Sequence, residues 1–358
     1  MRRLPIFFMI DVSESMAGEN LFKMEEGIAS ILTALRTDPY ALETAYLSVI
    51  AFAGKAKTIT PMTEIAAFNP PELPLGGGTH LGVALNHLMS EIDCSVVKSS
   101  SSQKGDWKPI VFLFTDGVPT DFTKDSVDRW NAQYSNKVNL ISISIEGGAD
   151  HKVLNEISDE VLVFNNDSNE SFTRFIQWIS KSIGAQSRSV SAENDTTINL
   201  AKIDEDILIS VEEFEREKPI NTNIDERYAV FIGKCSKHKM PYVVKYERKL
   251  GNINTRDSNL GEMLQTCVYN FVGIYPVKNS YFELSDGEEN NATINSADLV
   301  GQPPCPHCFT HYSMAFCSCK KIHCIEGAGE NECPWCGKAN FYGFSEGDES
   351  FEINRGRG

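Results

Sequence analysis

Two uninterrupted apolar runs, Phe7-Phe8-Met9-Ile10 and Ile110-Val111-Phe112-Leu113-Phe114, constrain this chain most, because an aspartate closes each of them, Asp11 and Asp116. A strand with no polar residue on either face must be covered on both sides, so these runs predict central strands of a parallel sheet between helical layers. The periodicity between and after them agrees. Leu21, Met24, Ile28, Ile31, Leu32 and Leu35 recur at helical spacing over about 19–36, and residues 44–53 form a β-branched and aromatic run that returns at 56–60 through Gly54-Lys55. Helices at 81–92, 123–135, 150–157 and 169–183 then alternate with strands at 109–114, 138–145 and 161–164. This predicts a doubly wound, mostly parallel α/β domain over 1–185. Open sheets of that kind bind ligands at the carboxyl edge of their strands.

Residues 186–200 lose the periodicity and read as a linker. The pattern then turns β-rich over 201–300, with short runs at 207–211, 228–233, 242–247, 268–274 and 281–284 and one helix at about 257–266. A cysteine-rich module follows over 301–345. The net charge of −16 argues against nucleic acid and anionic lipid, which reward clustered Lys and Arg. No apolar run approaches the roughly 18 residues of a membrane span. Met1-Arg2-Arg3 imitates the start of a signal peptide, but Asp11 cuts the apolar part short. Seven of the ten cysteines crowd between Cys305 and Cys336 in paired spacings, which reads as metal binding in a reducing, cytoplasmic setting. Cys94, Cys235 and Cys267 read as isolated buried thiols.

Asp11-Val12-Ser13-Glu14-Ser15 offers one carboxylate and two hydroxyls where the first strand ends. Thr79 lies in a glycine-rich loop, Gly76-Gly77-Gly78-Thr79, and Asp116 sits in Thr115-Asp116-Gly117. Hydroxyls, carboxylates and water suit a small hard cation such as Mg²⁺. In order and context these pieces resemble a von Willebrand factor A domain with a metal-ion-dependent adhesion site, over about 4–185. The resemblance implies that Ser13, Ser15 and Thr79 contact the ion, and that Asp11 and Asp116 bind it directly or through water. One coordination position is then left for a carboxylate from a partner protein. Glu14 and His80 flank the ligands as exposed candidates for partner contact, and Asp121 is expected to cap the helix that follows it. Phosphotransfer or hydrolysis is the competing use of such an edge. A second aspartate two positions after Asp11 would serve as general acid there, and Ser13 stands in its place; the glycine loop also lacks the Lys-Ser/Thr of a phosphate-binding loop.

The cysteine spacing is Cys305-Pro-His-Cys308, Cys317-Ser-Cys319, His323-Cys324 and Cys333-Pro-Trp-Cys336. Two Cys-x-x-Cys turns suggest that Cys305, Cys308, Cys333 and Cys336 hold one Zn²⁺, in a zinc-ribbon-like arrangement. Cys317, Cys319 and Cys324 with His323 form the candidate second site, with His307 or His311 as other fourth ligands. A cross-brace mixing the inner and outer cysteines is left open by the spacing, and its spacing is not that of an eight-ligand ligase module. Taken together, the domain order resembles the TerY-like proteins of bacterial stress and tellurite-resistance systems, with a TerY-C-type metal-binding domain. That resemblance implies a non-catalytic adaptor working with a Ser/Thr protein kinase and a metal-dependent protein phosphatase.

Overall fold

The structure is a computed structural model that describes residues 2–101, 104–145, 147–164, 168–191, 200–202, 207–211, 214, 228–251, 266–287, 292–343 and 350–356. A first sheet is built from β1 (Leu4–Asp11), β2 (Ala45–Phe52), β3 (Ala56–Glu64), β4 (Ile110–Thr115), β5 (Asn139–Ile145), β6 (Glu160–Phe164) and β7 (Leu208–Ser210). Its order is β3-β2-β1-β4-β5-β6-β7, with β3 and β7 antiparallel at the edges and the rest parallel. From β1 the chain winds outward to β2 and β3, then returns to β4 and winds the other way. The switch point therefore falls between β1 and β4, and Ile10 pairs with Phe114 just before both strands end.

The apolar runs behave as their composition requires. Ile6, Phe8 and Ile10 face one core with α1 (Glu19–Thr37) and α6 (Asn169–Ser191), while Phe7 and Met9 face a second core with α3 (Leu81–Ser95), α4 (Lys124–Gln133) and α5 (His151–Ile157). A further helix, α2 (Pro39–Thr44), begins at a proline capped by Asp38 and was not foreseen. Phe8 is fully buried, with its ring edge-on to Phe112 at 5.8 Å and to Phe114 at 5.9 Å. Replacing it with alanine is expected to cost about 3–5 kcal/mol. Urea unfolding of Phe8→Ala measures this; a loss below about 1 kcal/mol would refute the packing.

Expectations change at the boundary between the two domains. The run at 207–211 supplies β7, which closes the first sheet rather than opening the second domain, because it pairs with β6. The expected linker begins as helix, since α6 runs to Ser191. Most of the expected helix at 257–266 lies outside the described residues.

The second sheet has the order β12-β10-β9-β8-β14-β13. Strands β8 (Tyr228–Lys234), β9 (Pro241–Gly251) and β10 (Thr266–Pro276) form an antiparallel meander, β12 (Leu299–Val300) joins β10, and β13 (Tyr312–Phe316) with β14 (Ile322–Ile325) extends the other side. Crucially, β14 runs parallel to β8, with His323 opposite Lys234. Residues 281–284, expected as strand, form one helical turn, α7 (Tyr281–Leu284). Two small antiparallel pairs complete the module: β11 (Thr293–Asn295) with β17 (Glu352–Asn354), and β15 (Gly329–Glu332) with β16 (Ala339–Tyr342).

Candidate functional site

The switch point gathers the five predicted oxygen ligands. Asp11 is fully buried at the end of β1; its Oδ1 accepts from the Ser13 amide at 2.9 Å and its Oδ2 from the Thr115 hydroxyl at 2.7 Å. Ser13 Oγ lies 3.0 Å from Ser15 Oγ, which donates to Asp116 Oδ1 at 2.7 Å. The Thr79 hydroxyl is buried and has no hydrogen-bond partner, and a side chain at Gly117 would meet it at 3.4 Å and Ser15 Oγ at 3.9 Å. Three hydroxyls and two carboxylates thus converge, one of the hydroxyls with its lone pairs unused.

Burial, and after it the Asp116 carboxylate, pushes the Asp11 carboxyl up to about 7. Two carboxylates held this close call for a cation between them, so the residues fit the ion that the motif implies.

The loops that carry the ligands are fixed by their own backbone. Gly76 N donates to Val12 O at 2.9 Å, Gly54 N to Gly77 O at 2.9 Å and His80 N to Ala53 O at 2.8 Å, while Gly78 takes φ +89°, where only glycine is unstrained. Thr120, which sequence reasoning missed, clasps Thr79 from both sides: Thr79 N donates to its Oγ1 at 2.9 Å and its amide to Thr79 O at 2.8 Å. Asp121 accepts from Gly82 N at 3.3 Å and Val83 N at 3.1 Å. It therefore caps α3 rather than the helix that follows it, because His80, the N-cap residue just before α3, offers no side-chain cap. Glu14 and His80 are not the exposed side chains expected: Glu14 is 2% exposed, with Tyr281 Oη donating to its Oε1, and His80 Nε2 lies 3.0 Å from Asp286 Oδ2.

The cysteines gather in two groups of four that differ from the sets the spacing suggested. One is Cys235, Cys305, Cys308 and Cys324; the other is Cys317, Cys319, Cys333 and Cys336. The Cys-x-x-Cys pairs are split between the two groups, and Cys235, expected to be isolated, completes the first. A tetrahedral ion with Zn–S bonds of about 2.3 Å needs sulphurs about 3.8 Å apart. The structure places Cys308 and Cys324 at 3.7 Å, Cys317 and Cys336 at 3.7 Å, and Cys319 and Cys333 at 3.8 Å.

Each group is built from tight turns. The amides of Lys239, Phe309, Lys320 and Gly337 return to the carbonyls of Cys235, Cys305, Cys317 and Cys333 at 2.8–2.9 Å. Among the described residues, Lys239, Phe309 and Lys320 are the non-glycine residues with positive φ, at 58°, 61° and 63°. Backbone strain of that kind persists where something over-determines the turn, and here each strained residue closes a cysteine turn.

The thiols polarise one another. A hydrogen bond from Cys324 pulls Cys305 down to about 5, and the same bond together with burial pushes Cys324 well up. Burial and neighbouring thiols push Cys319 up to about 12. Four sulphurs this close cannot all ionise unless a cation takes the protons' place, so both groups fit a structural Zn²⁺.

His323 belongs to neither group. It is fully buried, with Nε2 2.6 Å from Tyr342 Oη and Nδ1 3.1 Å from Ser236 Oγ, and burial lowers its pKa. Neighbouring residues on a strand point to opposite faces, so His323 and Cys324 cannot serve one ion from β14. His307 binds the Pro241 carbonyl at 2.8 Å instead, and His311 is exposed. Cys94 is exposed rather than buried, and nothing is described of the Cys267 side chain.

Fold and edge together define a von Willebrand A-type α/β domain with an oxygen-rich metal edge, followed by a β-rich domain whose clustered cysteines could bind zinc. Comparison with protein families bears this out: residues 6–178 match the von Willebrand factor type A domain and residues 225–358 the TerY-C metal binding domain. The chain carries both. No curated protein matches it. Among solved structures, a von Willebrand factor type A protein from Catenulispora acidiphila is 17% identical over 51% of this chain and 43% of its own, with a TM-score of 0.41. Proximal thread matrix protein 1 from the mussel byssus, with a zinc-occupied MIDAS motif, is 20% identical over 51% of this chain and 48% of its own, with a TM-score of 0.36. The matched region thus spans less than half the length of either. No helix among the described residues is long and apolar enough to cross a membrane.

Proposed function

We propose that this chain is a non-catalytic, metal-dependent adaptor. A divalent cation, Mg²⁺ by the all-oxygen donor set, is held by Asp11, Ser13, Ser15, Thr79 and Asp116 and leaves a position for a carboxylate supplied by a partner protein. The observation that carries this reading is the buried, unpartnered Thr79 hydroxyl, which borders Gly117 together with the Ser15 hydroxyl that donates to Asp116, an arrangement that a helix cap would not need. Beside the edge, Phe122 exposes 72% of its surface, an apolar contact of the kind a partner would cover. The two cysteine groups hold Zn²⁺ and act structurally, since four-thiolate sites are closed to substrate.

The choice of Mg²⁺ here rests on donor chemistry. A Ser/Thr protein kinase and a metal-dependent protein phosphatase of a cytoplasmic stress system are the partners to test first, on the resemblance of the domain order to TerY-like proteins.

Affinity capture from native lysate tests the reading. Wild-type bait in millimolar Mg²⁺ should retain partners in stoichiometric amounts, and Asp11→Asn bait, its zinc intact, should not. Equal capture by both baits would reject it.

A further inference from the structure

The metal edge is not built by the first domain alone. Lys245, on β9 of the second domain, is 4% exposed, lies over the Tyr228 ring at 4.0 Å and donates through Nζ to the carbonyl of Ser15. Tyr281 Oη donates to Glu14, inside the Asp-x-Ser-x-Ser stretch. Ser285 Oγ accepts from Gly77 N at 2.9 Å, and Leu284 O accepts from Lys55 N at 2.8 Å. An apolar plug of Ala17, Leu75, Val230, Val243, Val277 and Tyr281 backs these bonds. Both loops that supply hydroxyls to the ion, 13–15 and 76–79, are therefore held from outside the domain that owns them.

We infer that the second domain is a clamp that positions the metal loops, with Tyr281 and Ser285 as positioning residues for cation binding at Asp11. The physical reason is pre-organisation. Fixing a loop residue costs conformational entropy, and a loop already fixed by Tyr281 and Ser285 need not meet that cost when the ion arrives. The bonds fall at Glu14 and Gly77, one and two residues from the ligands Ser13, Ser15 and Thr79, so slack there passes directly into ligand geometry. Such a clamp also couples the two kinds of metal centre. Tyr281 and Ser285 hang from the module whose strands the cysteine groups tie together, so a loosened module loosens the cation site.

This inference rests on the cation reading of the edge, and the experiment separates the two. Full-length, zinc-loaded protein is titrated with Mn²⁺ and the free ion followed by electron paramagnetic resonance. Tyr281→Phe and Ser285→Ala each remove one hydroxyl without changing charge, and each should weaken Mn²⁺ binding about threefold; the double variant should weaken it about tenfold. Ser285→Thr keeps the hydroxyl and should bind as wild type does, an outcome that loss of bulk packing would not produce. Elemental analysis should find zinc unchanged in every variant, and the single variants keep the test decisive if the double variant does not fold. Binding within twofold of wild type, or tighter, in the single and double variants would overturn the clamp while leaving the cation site in place. Wild-type protein that binds no Mn²⁺ would overturn both.

Discussion

Full-length protein prepared without chelator is expected to carry two zinc ions per chain, and Cys235→Ser to carry one. The expectation turns on Cys235, which joins Cys305, Cys308 and Cys324 in one group of sulphurs. Were the ion held by Cys305, Cys308, Cys333 and Cys336, as the spacing alone suggests, Cys235→Ser would keep the full complement. Cys94→Ser, altering an exposed thiol on α3, is the control and should keep both ions. The effect on folding should be large. Structural zinc contributes on the order of 10–16 kcal/mol of apparent binding free energy in small zinc domains, as much as the whole stability of an ordinary domain. Stripping the metal should therefore melt the second sheet, seen as loss of its β signal in circular dichroism, while the doubly wound sheet stays folded. Two ions in Cys235→Ser would refute the grouping, and none in wild type would refute zinc altogether.

The cation edge was legible in the sequence and the zinc pairing was not, for a physical reason. Four of the five oxygen ligands sit within a few residues of a strand end that an apolar run defines, so Phe7–Ile10 and Ile110–Phe114 locate Asp11 and Asp116 without knowledge of any distant contact, and Thr79 is marked by its glycine-rich loop just before α3. The sulphur group that contains Cys235 depends on a pairing of positions 89 apart in the chain. Strand β14 lies parallel to β8 with Ile322 opposite Gly233 and His323 opposite Lys234, and only that register sets Cys324 beside Cys235. Spacing rules count along the chain and cannot see it. One local signal existed: Cys235-Ser-Lys-His238 has the turn-like spacing of the other cysteine pairs, although its fourth position is an exposed histidine rather than a thiol. The burial of Glu14 was equally hidden. Within its own domain it is a surface loop residue, and its partner Tyr281 comes from a helical turn that reads as strand by composition.

Cation binding at the edge should weaken steeply below neutral pH, and Asp11→Asn should abolish it. Burial and the neighbouring Asp116 carboxylate raise the Asp11 carboxyl from 3.8 to about 7 in the metal-free fold. A proton and the ion then compete for the same oxygens, so Mn²⁺ affinity should fall about tenfold per unit between pH 7 and 5 and level off above about 8. The sign for stability runs the opposite way from that of a salt-bridged aspartate. A carboxyl whose folded pKa lies above its unfolded one favours the fold fully below about 3.8, and that contribution is lost as pH rises through about 7. Metal-free protein should accordingly lose stability from this group between pH 4 and 7, and Mg²⁺ should restore it. Asp11→Asn keeps an acceptor for the Ser13 amide, turns its NH2 to the Thr115 hydroxyl, which then accepts instead of donating, and carries no charge to repel Asp116. It should thus be at least as stable as metal-free wild type at pH 8, and gain nothing from Mg²⁺. Thermal unfolding with and without Mg²⁺ at pH 5 and pH 8, beside a Mn²⁺ titration, reads both effects. A pH-independent affinity, or an asparagine variant that binds Mn²⁺ as wild type does, would show that the carboxylate is not the group holding the ion. A variant that unfolds instead would show that Asp11 serves the fold through its hydrogen bonds. The charge at this edge is a cost to the metal-free fold at neutral pH, and a residue kept at a cost to the fold points to what the fold binds there.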